Sequence, residues 1–377
     1  MNKFFTLLLF AVAFTNTAQA EPLIKTAAKQ AIVVDYNTGA ILLEKNADEQ
    51  MPTSSMSKVM TIYMAFEAIK RGDIALNDTF LVSEKAWRKG GSKMFVEVDK
   101  RVKVEDLIRG IIIQSGNDAT IVLAEGIAGS EDSFARSMTA KAQEIGMSNS
   151  NFVNASGWPD PNHYSTARDL ATMARNIIYN FPAYYPYFAE GEFTYNNITQ
   201  KNRNPLLYRN IGADGLKTGH TEAAGYGVIG TGLHNDRRVI VVVNGLVDEK
   251  ARAQESAKLL EWGLKRFDNV ELFKAGEVVE STVVALGKGK LVEAALKEDL
   301  VASIPKIALK EFTVTANFKE PLIAPIQAGD EIGTLIVDVP NIGKVTKPLY
   351  AVSSVEKLGI FSSTIAKAKL FLLSGKR

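Results

Sequence analysis

Between Met56 and Lys70 the apolar residues Met56, Val59, Met60, Tyr63, Met64 and Phe66 fall nearly all the way round a helix. A helix of that kind is stable only when most of its faces are covered, so it belongs inside a core with other elements packed around it. A small scaffold could not supply that cover. At 377 residues the chain exceeds the usual size of one compact core, and two folded units are expected. It contains no cysteine, so no disulfide can stand in for burial and no thiol can supply chemistry.

The surrounding pattern supplies the cover. Gln30–Asp35 and Ala40–Glu44 flank Asn37-Thr38-Gly39, which predicts a β-hairpin. Val104–Ile113, Asn117–Gly126, Ser133–Ile145 and Tyr164–Asn180 have helical periodicity, the last with Ser165 or Thr166 as N-cap. Gly225–Gly232 and Arg238–Asn244 predict a second hairpin turning at His234-Asn235-Asp236, and Ala251–Arg266 a further helix. Around Asp268 the texture changes to short alternating runs broken by Gly and Pro, such as Glu280–Leu286, Glu311–Phe318 and Glu331–Val339. The fold class expected is α+β: an antiparallel sheet with a helical cluster over 21–266, then a small all-β domain over 267–355.

The two ends differ from the rest. Residues 1–20 read as a secretory signal, with Lys3, an apolar run over Phe4–Phe14 and an Ala18-Gln19-Ala20 cleavage site, so the mature chain is expected to start at Glu21. Over 356–377, Leu358, Phe361, Ile365, Ala368 and Leu372 share one helical face among lysines, which predicts an amphipathic helix lying in a membrane interface. A net charge of +2, with Lys and Arg interleaved among Asp and Glu, argues against nucleic acid. His163, His220 and His234 have no metal-ligand spacing, so neither metal nor other cofactor is expected.

The chemistry then falls to Ser, Lys, Asp, Glu, Asn or Arg. Ser55-Met56-Ser57-Lys58 heads the apolar helix, and i, i+3 spacing puts Ser55 and Lys58 on one face. A lysine among Met56, Val59 and Met60 is desolvated, which lowers its pKa and lets it act as a neutral base towards the serine. The same spacing at Ser303–Lys306 and Ser354–Lys357 is read as chance. Ser115-Gly116-Asn117 begins a later helix. Its hydroxyl can relay protons between the nucleophile, Lys58 and a leaving amine, and the Asn117 amide can bond a substrate backbone. Lys217-Thr218-Gly219 occurs once and puts a cation, a hydroxyl and a residue without a side chain on one strand edge, which suits an extended peptide bearing a carboxylate.

The ordered set S-x-x-K, S-x-N and K-T-G is close to the signature of β-lactamases and penicillin-binding proteins, with Gly116 where Asp is usual. From about Lys29 onwards the chain resembles the low-molecular-mass penicillin-binding proteins that act as D-alanyl-D-alanine carboxypeptidases. The resemblance is carried also by Leu107–Ala119, His163–Asp169, Glu192–Asn196, Asn202-Arg203-Asn204 and Asp214–Thr221. One departure is an extra residue in Pro52-Thr53-Ser54-Ser55; only Ser55 has a lysine three positions on.

The resemblance implies Ser55 as nucleophile, Lys58 as general base, Ser115 as relay, Asn117 holding substrate, and Lys217 stabilising charge beside Thr218 and Gly219. It implies an oxyanion hole from the backbone N–H groups of Ser55 and His220. Arg238, or its neighbour Arg237, would receive the terminal carboxylate. Implied partners are peptidoglycan stem peptides and β-lactam antibiotics, at the periplasmic side of the cell membrane with peripheral contact to the inner membrane. Three rivals share parts of the signature: a DD-endopeptidase cutting cross-links, a β-lactamase, and a non-catalytic penicillin- or wall-binding protein. The second needs a carboxylate to activate water; Glu192 mimics one but sits in a strand-like run.

Overall fold

The computed structural model describes residues 24–359. The expected secretory signal and the cleavage point before Glu21 lie outside the described residues, as does most of the amphipathic helix expected over 356–377; its first residues, 356–359, are not helical, and Lys357 bridges Gly287. Five antiparallel strands form the central sheet: β1 (Gln30–Asp35), β2 (Ile41–Lys45), β3 (Ala213–Thr221), β4 (Gly225–His234) and β5 (Arg237–Leu246), ordered β2-β1-β5-β4-β3. Successive residues of a strand face opposite sides, and here both sides are covered. Ala31, Val33, Val239, Val241 and Val243 enter one core, whereas Ile32, Val34, Ile240 and Val242 enter another. Burial on both faces is why β1 and β5 read as continuous apolar runs rather than alternating ones.

Among the described residues seven α-helices flank the sheet: α1 (Lys58–Arg71), α2 (Glu84–Arg88), α3 (Val104–Ile112), α4 (Asn117–Ala128), α5 (Glu131–Glu144), α6 (Ala167–Asn180) and α7 (Glu249–Lys265). Helix α7 covers one face through Leu259, Leu260 and Leu264. The others cluster on the opposite face, with α1 touching α3, α4, α5 and α6. Val59, Met60, Ile62, Ala65 and Phe66 of α1 are at most 1% exposed, as its all-round apolar pattern requires. Thr166, one of the two caps expected for α6, accepts the amide of Asp169 at 3.0 Å. One local feature departs from expectation. Instead of an α-helix from Met56, residues Ser54–Ser57 form a 3₁₀ turn that leads into α1.

After α7 the described residues form strands, with one 3₁₀ turn at Lys306–Ala308. Strands Phe267–Phe273 and Leu300–Pro305 pair, while Val278–Val283, Leu291–Ala295, Gly343–Ala351, Glu331–Val339 and Thr313–Phe318 form, in that order, a second five-stranded sheet. This module has its own core around Val292, Ile304, Leu335, Val337 and Leu349.

The two parts meet through a buried polar network. Asp35 is 0% exposed and pairs with Arg237 at 2.7 Å. From the β module, Asn269 donates to both Asp35 carboxylate oxygens at 3.2 Å, and Ser303 bonds both Asn269 and Thr38. Arg237, the alternative carboxylate receptor in the sequence reading, is therefore spent on joining the two parts. A buried ion pair broken on one side is costly, because the remaining charge keeps its desolvation penalty. Arg237→Ala is therefore expected to lower the free energy of unfolding by about 3 kcal/mol, read as a reduced urea midpoint. An unchanged midpoint would show that the junction does not depend on this pair.

Candidate active site

The 3₁₀ turn sets the first geometric element. At three residues per turn the side chains of i and i+3 eclipse, which stacks Ser55 directly against Lys58. Ser54 enters the turn at φ +50°, a conformation unusual for a residue with a side chain. Its hydroxyl bonds that of Thr221 at 3.0 Å, tying the turn to the end of β3. Ser54, within the stretch that carries the extra residue, thus pins the turn that holds Ser55. Gly219 allows the approach: a Cβ there would sit 2.8 Å from the Thr53 carbonyl oxygen. Ser55 itself is half-buried.

Lys58 is completely buried. Its Nζ lies 2.9 Å from Ser55 Oγ, 2.7 Å from Asn117 Oδ1 and 2.7 Å from the Ser156 carbonyl oxygen. Two of these partners can only accept. A neutral amine has two N–H donors and one lone pair, so the donors go to Asn117 and Ser156 and the lone pair faces the Ser55 hydroxyl. Burial lowers the Lys58 pKa to about 7, helped by the positive charges of Arg203 and Lys89 and opposed by Asp118. The site therefore aims a base at a nucleophile near neutral pH.

Asn117 starts α4, and Ser115 precedes it in a buried turn at φ +58°. Strain of this kind at a reactive residue persists only where its surroundings hold it. Asp118 does the holding: its carboxylate accepts the backbone N–H groups of Met94, Phe95 and Val96 at 2.8, 2.8 and 3.2 Å. The loop that follows α2 is thereby fixed against the start of α4, and the Asn117 side chain donates to the Gly90 carbonyl at 2.9 Å. The sequence reading gave Asp118 no role, although an acid in the first turn of a helix was a visible signal.

Lys217, Thr218 and Gly219 are all buried along β3. Burial holds the Lys217 pKa well below the usual lysine value, and Lys58, Arg203 and Arg252 push the same way. Those two arginines were not anticipated as site residues. Arg203 was visible only as part of Asn202-Arg203-Asn204, whose two asparagines are buried while Arg203 reaches Ser92. Arg252 is 7% exposed; it lies over the Tyr226 ring, and its Nε has no partner. His220 is exposed, and its imidazole is stacked on the Tyr226 ring at 3.8 Å.

The structure does not bring Arg238 to this group. Its guanidinium pairs with Asp214 through bonds of 2.7 and 2.6 Å and also donates to Tyr185 and Thr231. Asp214 lies five positions before Gly219 on β3, roughly 16 Å along an extended strand. His163 has a different task. Its Nδ1 accepts the Val153 amide, so Nε2–H donates to Ser57 at 2.8 Å, and Ser57 in turn bonds Thr53 at 2.5 Å. Burial lowers the His163 pKa to about 4, keeping the ring neutral beneath the nucleophile's turn. Glu192 lies in the short hairpin of Glu192–Tyr195 with Ile198–Lys201 and is exposed.

Comparison with known proteins agrees with this geometry. A family profile described as D-alanyl-D-alanine carboxypeptidase matches residues 15–247, and one described as penicillin-binding protein 5, C-terminal domain, matches 267–357. The D-alanyl-D-alanine carboxypeptidase DacA of Haemophilus influenzae is 36% identical over 369 residues, covering 96% of this chain and 93% of its own. The solved penicillin binding protein 5 from Haemophilus influenzae superposes with a TM-score of 0.78 at 36% identity, covering 89% of this chain and 99% of that one. The D-alanyl-D-alanine carboxypeptidase DacD from Francisella tularensis gives a TM-score of 0.81 at 31% identity, covering 90% and 96%.

A base with a pKa of about 7 has a definite kinetic consequence. Only the unprotonated amine accepts the Ser55 proton, so acylation of Ser55 should rise about tenfold per pH unit below that value and level off above it. Stopped-flow acylation rates across pH check this. Lys58→Arg, always charged, should lose the rising limb and about 10³-fold in rate.

Proposed function

The chain belongs to the D-alanyl-D-alanine carboxypeptidase family, and from that footing we propose how its residues divide the reaction. It is a serine hydrolase of peptidoglycan peptides and binds β-lactams. Ser55 Oγ attacks the carbonyl carbon between the two D-alanines while its proton passes to Lys58 Nζ. The oxyanion is received by the backbone N–H groups of Ser55 and His220. As the C–N bond breaks, the proton returns through the Ser115 hydroxyl to the leaving amine and D-alanine departs. Water then attacks the ester with Lys58 again as base, which frees Ser55. A β-lactam enters by the same first step, but its leaving amine stays tethered to the acyl group. The observation that carries this reading is Lys58 Nζ within 2.9 Å of Ser55 Oγ, with two further acceptors, Asn117 Oδ1 and the Ser156 carbonyl oxygen, each 2.7 Å from the same amine.

The terminal carboxylate of the substrate goes to Lys217 and Thr218, with Arg203 and Arg252 as the guanidinium partners in place of Arg238. What supports the exchange is charge accounting: Arg238 is already neutralised by Asp214, whereas Arg252 makes only a stretched 3.7 Å contact with the exposed Glu249. Two further parts of the proposal concern location. The apolar run and Ala-x-Ala site within residues 1–20 support export, and the amphipathic pattern over 356–377 supports peripheral attachment to the periplasmic side of the inner membrane.

Intact-mass spectrometry after incubation with benzylpenicillin, followed by digestion, tests the nucleophile. One penicilloyl adduct on the peptide containing Ser55, together with D-alanine release from diacetyl-Lys-D-Ala-D-Ala, is expected; an adduct elsewhere would overturn the assignment. The carboxylate receptor is separated by two variants. Arg252→Ala should lower kcat/KM about 10²-fold, chiefly through KM, whereas Arg238→Ala should hold it within about threefold. The reverse ranking would restore Arg238.

A further inference from the structure

Ser156 belongs to none of the three motifs, yet its carbonyl is one of the groups that fix the Lys58 amine. A loop carbonyl holds a direction only where the backbone beside it is fixed, and here the preceding residue is gripped twice. The Ala155 N–H donates to Glu131 Oε1 at 3.2 Å, and the Ala155 carbonyl accepts the Thr61 hydroxyl at 2.6 Å. Thr61 lies three positions after Lys58 on α1, and Glu131 is the first residue of α5. The loop is thus clamped between the helix that carries the base and a second helix packed against it.

On its other side the loop meets the nucleophile's turn. Gly157 takes φ +75°, and a Cβ there would fall 1.8 Å from the Ser54 carbonyl oxygen. A displacement at Ala155 therefore reaches both the acceptor for Lys58 and the turn that holds Ser55.

Glu131 is the unusual member of this clamp. An acid in the first turn of a helix ordinarily faces water, where the helix dipole accounts for it. This one is 5% exposed. Its second oxygen pairs with Lys85 at 2.9 Å, but the Lys85 side chain is 54% exposed, so that ion pair by itself is weak. Lys85 belongs to α2, and the chain after α2 reaches Gly90, whose carbonyl accepts the Asn117 amide. Both acceptors of the Lys58 amine, Ser156 and Asn117, therefore trace back to Glu131. The charges that act most on Lys58 are those of Arg203, Lys89 and Asp118, and Lys58 in turn acts on Lys217. Glu131 works through the backbone and not through its field.

We propose that Glu131 is a positioning residue for acylation, holding the Ser156 carbonyl against Lys58 through the Ala155 N–H. With that bond gone the loop relaxes, water reaches the amine, and a hydrated amine keeps its proton to higher pH. The inference rests on Lys58 as general base and adds a residue that touches neither substrate nor reacting atoms.

The test follows acylation by benzylpenicillin across pH in stopped flow, with a thermal melt showing that each variant is folded at the assay temperature. Glu131→Ala should slow acylation at neutral pH about 30-fold and move the midpoint of the rising limb up by about one pH unit. On diacetyl-Lys-D-Ala-D-Ala the loss should fall on kcat, with KM held within about twofold. Glu131→Gln keeps an oxygen for the Ala155 amide and should stay within about threefold of wild type with the limb unmoved, as should Lys85→Met. If Glu131→Ala does not fold, Thr61→Val removes the other grip on Ala155 and should move the limb in the same direction. An unmoved limb in the folded variant, or Glu131→Gln as impaired as Glu131→Ala, would overturn the positioning role and leave Lys58 as the base. A wild-type profile without a rising limb would overturn Lys58 as base, and this inference with it.

Discussion

A lysine amine fully removed from water, with no carboxylate bonded to it among the described residues, is the constraint around which this protein is arranged. A buried ammonium in that position costs several kcal/mol, and the fold meets the cost by letting the amine lose its proton. For that to happen Lys58 must begin a helix whose other faces are closed by α3, α4, α5, α6 and the sheet. The catalytic base and the stability of the larger unit therefore come from one act of burial. The carbonyl groups of Asn117 and Ser156 then settle which way the lone pair points.

The remaining cations divide by their partners. Arg237 with Asp35, and Arg238 with Asp214, are closed pairs that hold strands and domains together. Lys217, Arg203 and Arg252 are gathered without a comparable acid, and each has its pKa lowered with burial as the leading cause. The guanidinium charges of Arg203 and Arg252, gathered near a buried lysine, represent binding energy held for an anion.

Rigidity is concentrated where the chemistry needs it. Ser54 and Ser115 both hold positive φ angles, and both are over-determined by neighbours: Ser54 by Thr221, and the turn of Ser115 by Asn117 and Asp118. The neutral His163 ring supports the 3₁₀ turn from below through Ser57 and Thr53. None of these residues reacts in the proposed mechanism, apart from the relay proposed at Ser115. Their work is to keep Ser55 in the eclipsed relation to Lys58 that a regular α-helix would not give.

The sequence by itself determined the elements with strong periodicity and the motifs whose residues are proposed to carry the reaction. The all-round apolar pattern of α1, the two hairpins of the central sheet and the alternating strands after Asp268 were all legible, because burial imposes period on sequence. Ser55, Lys58, Ser115, Asn117 and Lys217-Thr218-Gly219 were legible because each sits in a short spaced motif. What only the tertiary structure decided was which charges pair across the fold. Adjacent arginines at 237 and 238 look equivalent in the chain, yet alternation along β5 sends one to Asp35 and the other to Asp214. Arg203 and Arg252, separated by nearly fifty positions, reach one lysine because β3, β4 and β5 fold the chain back on itself between them. Pairing depends on long-range contacts that no local pattern records.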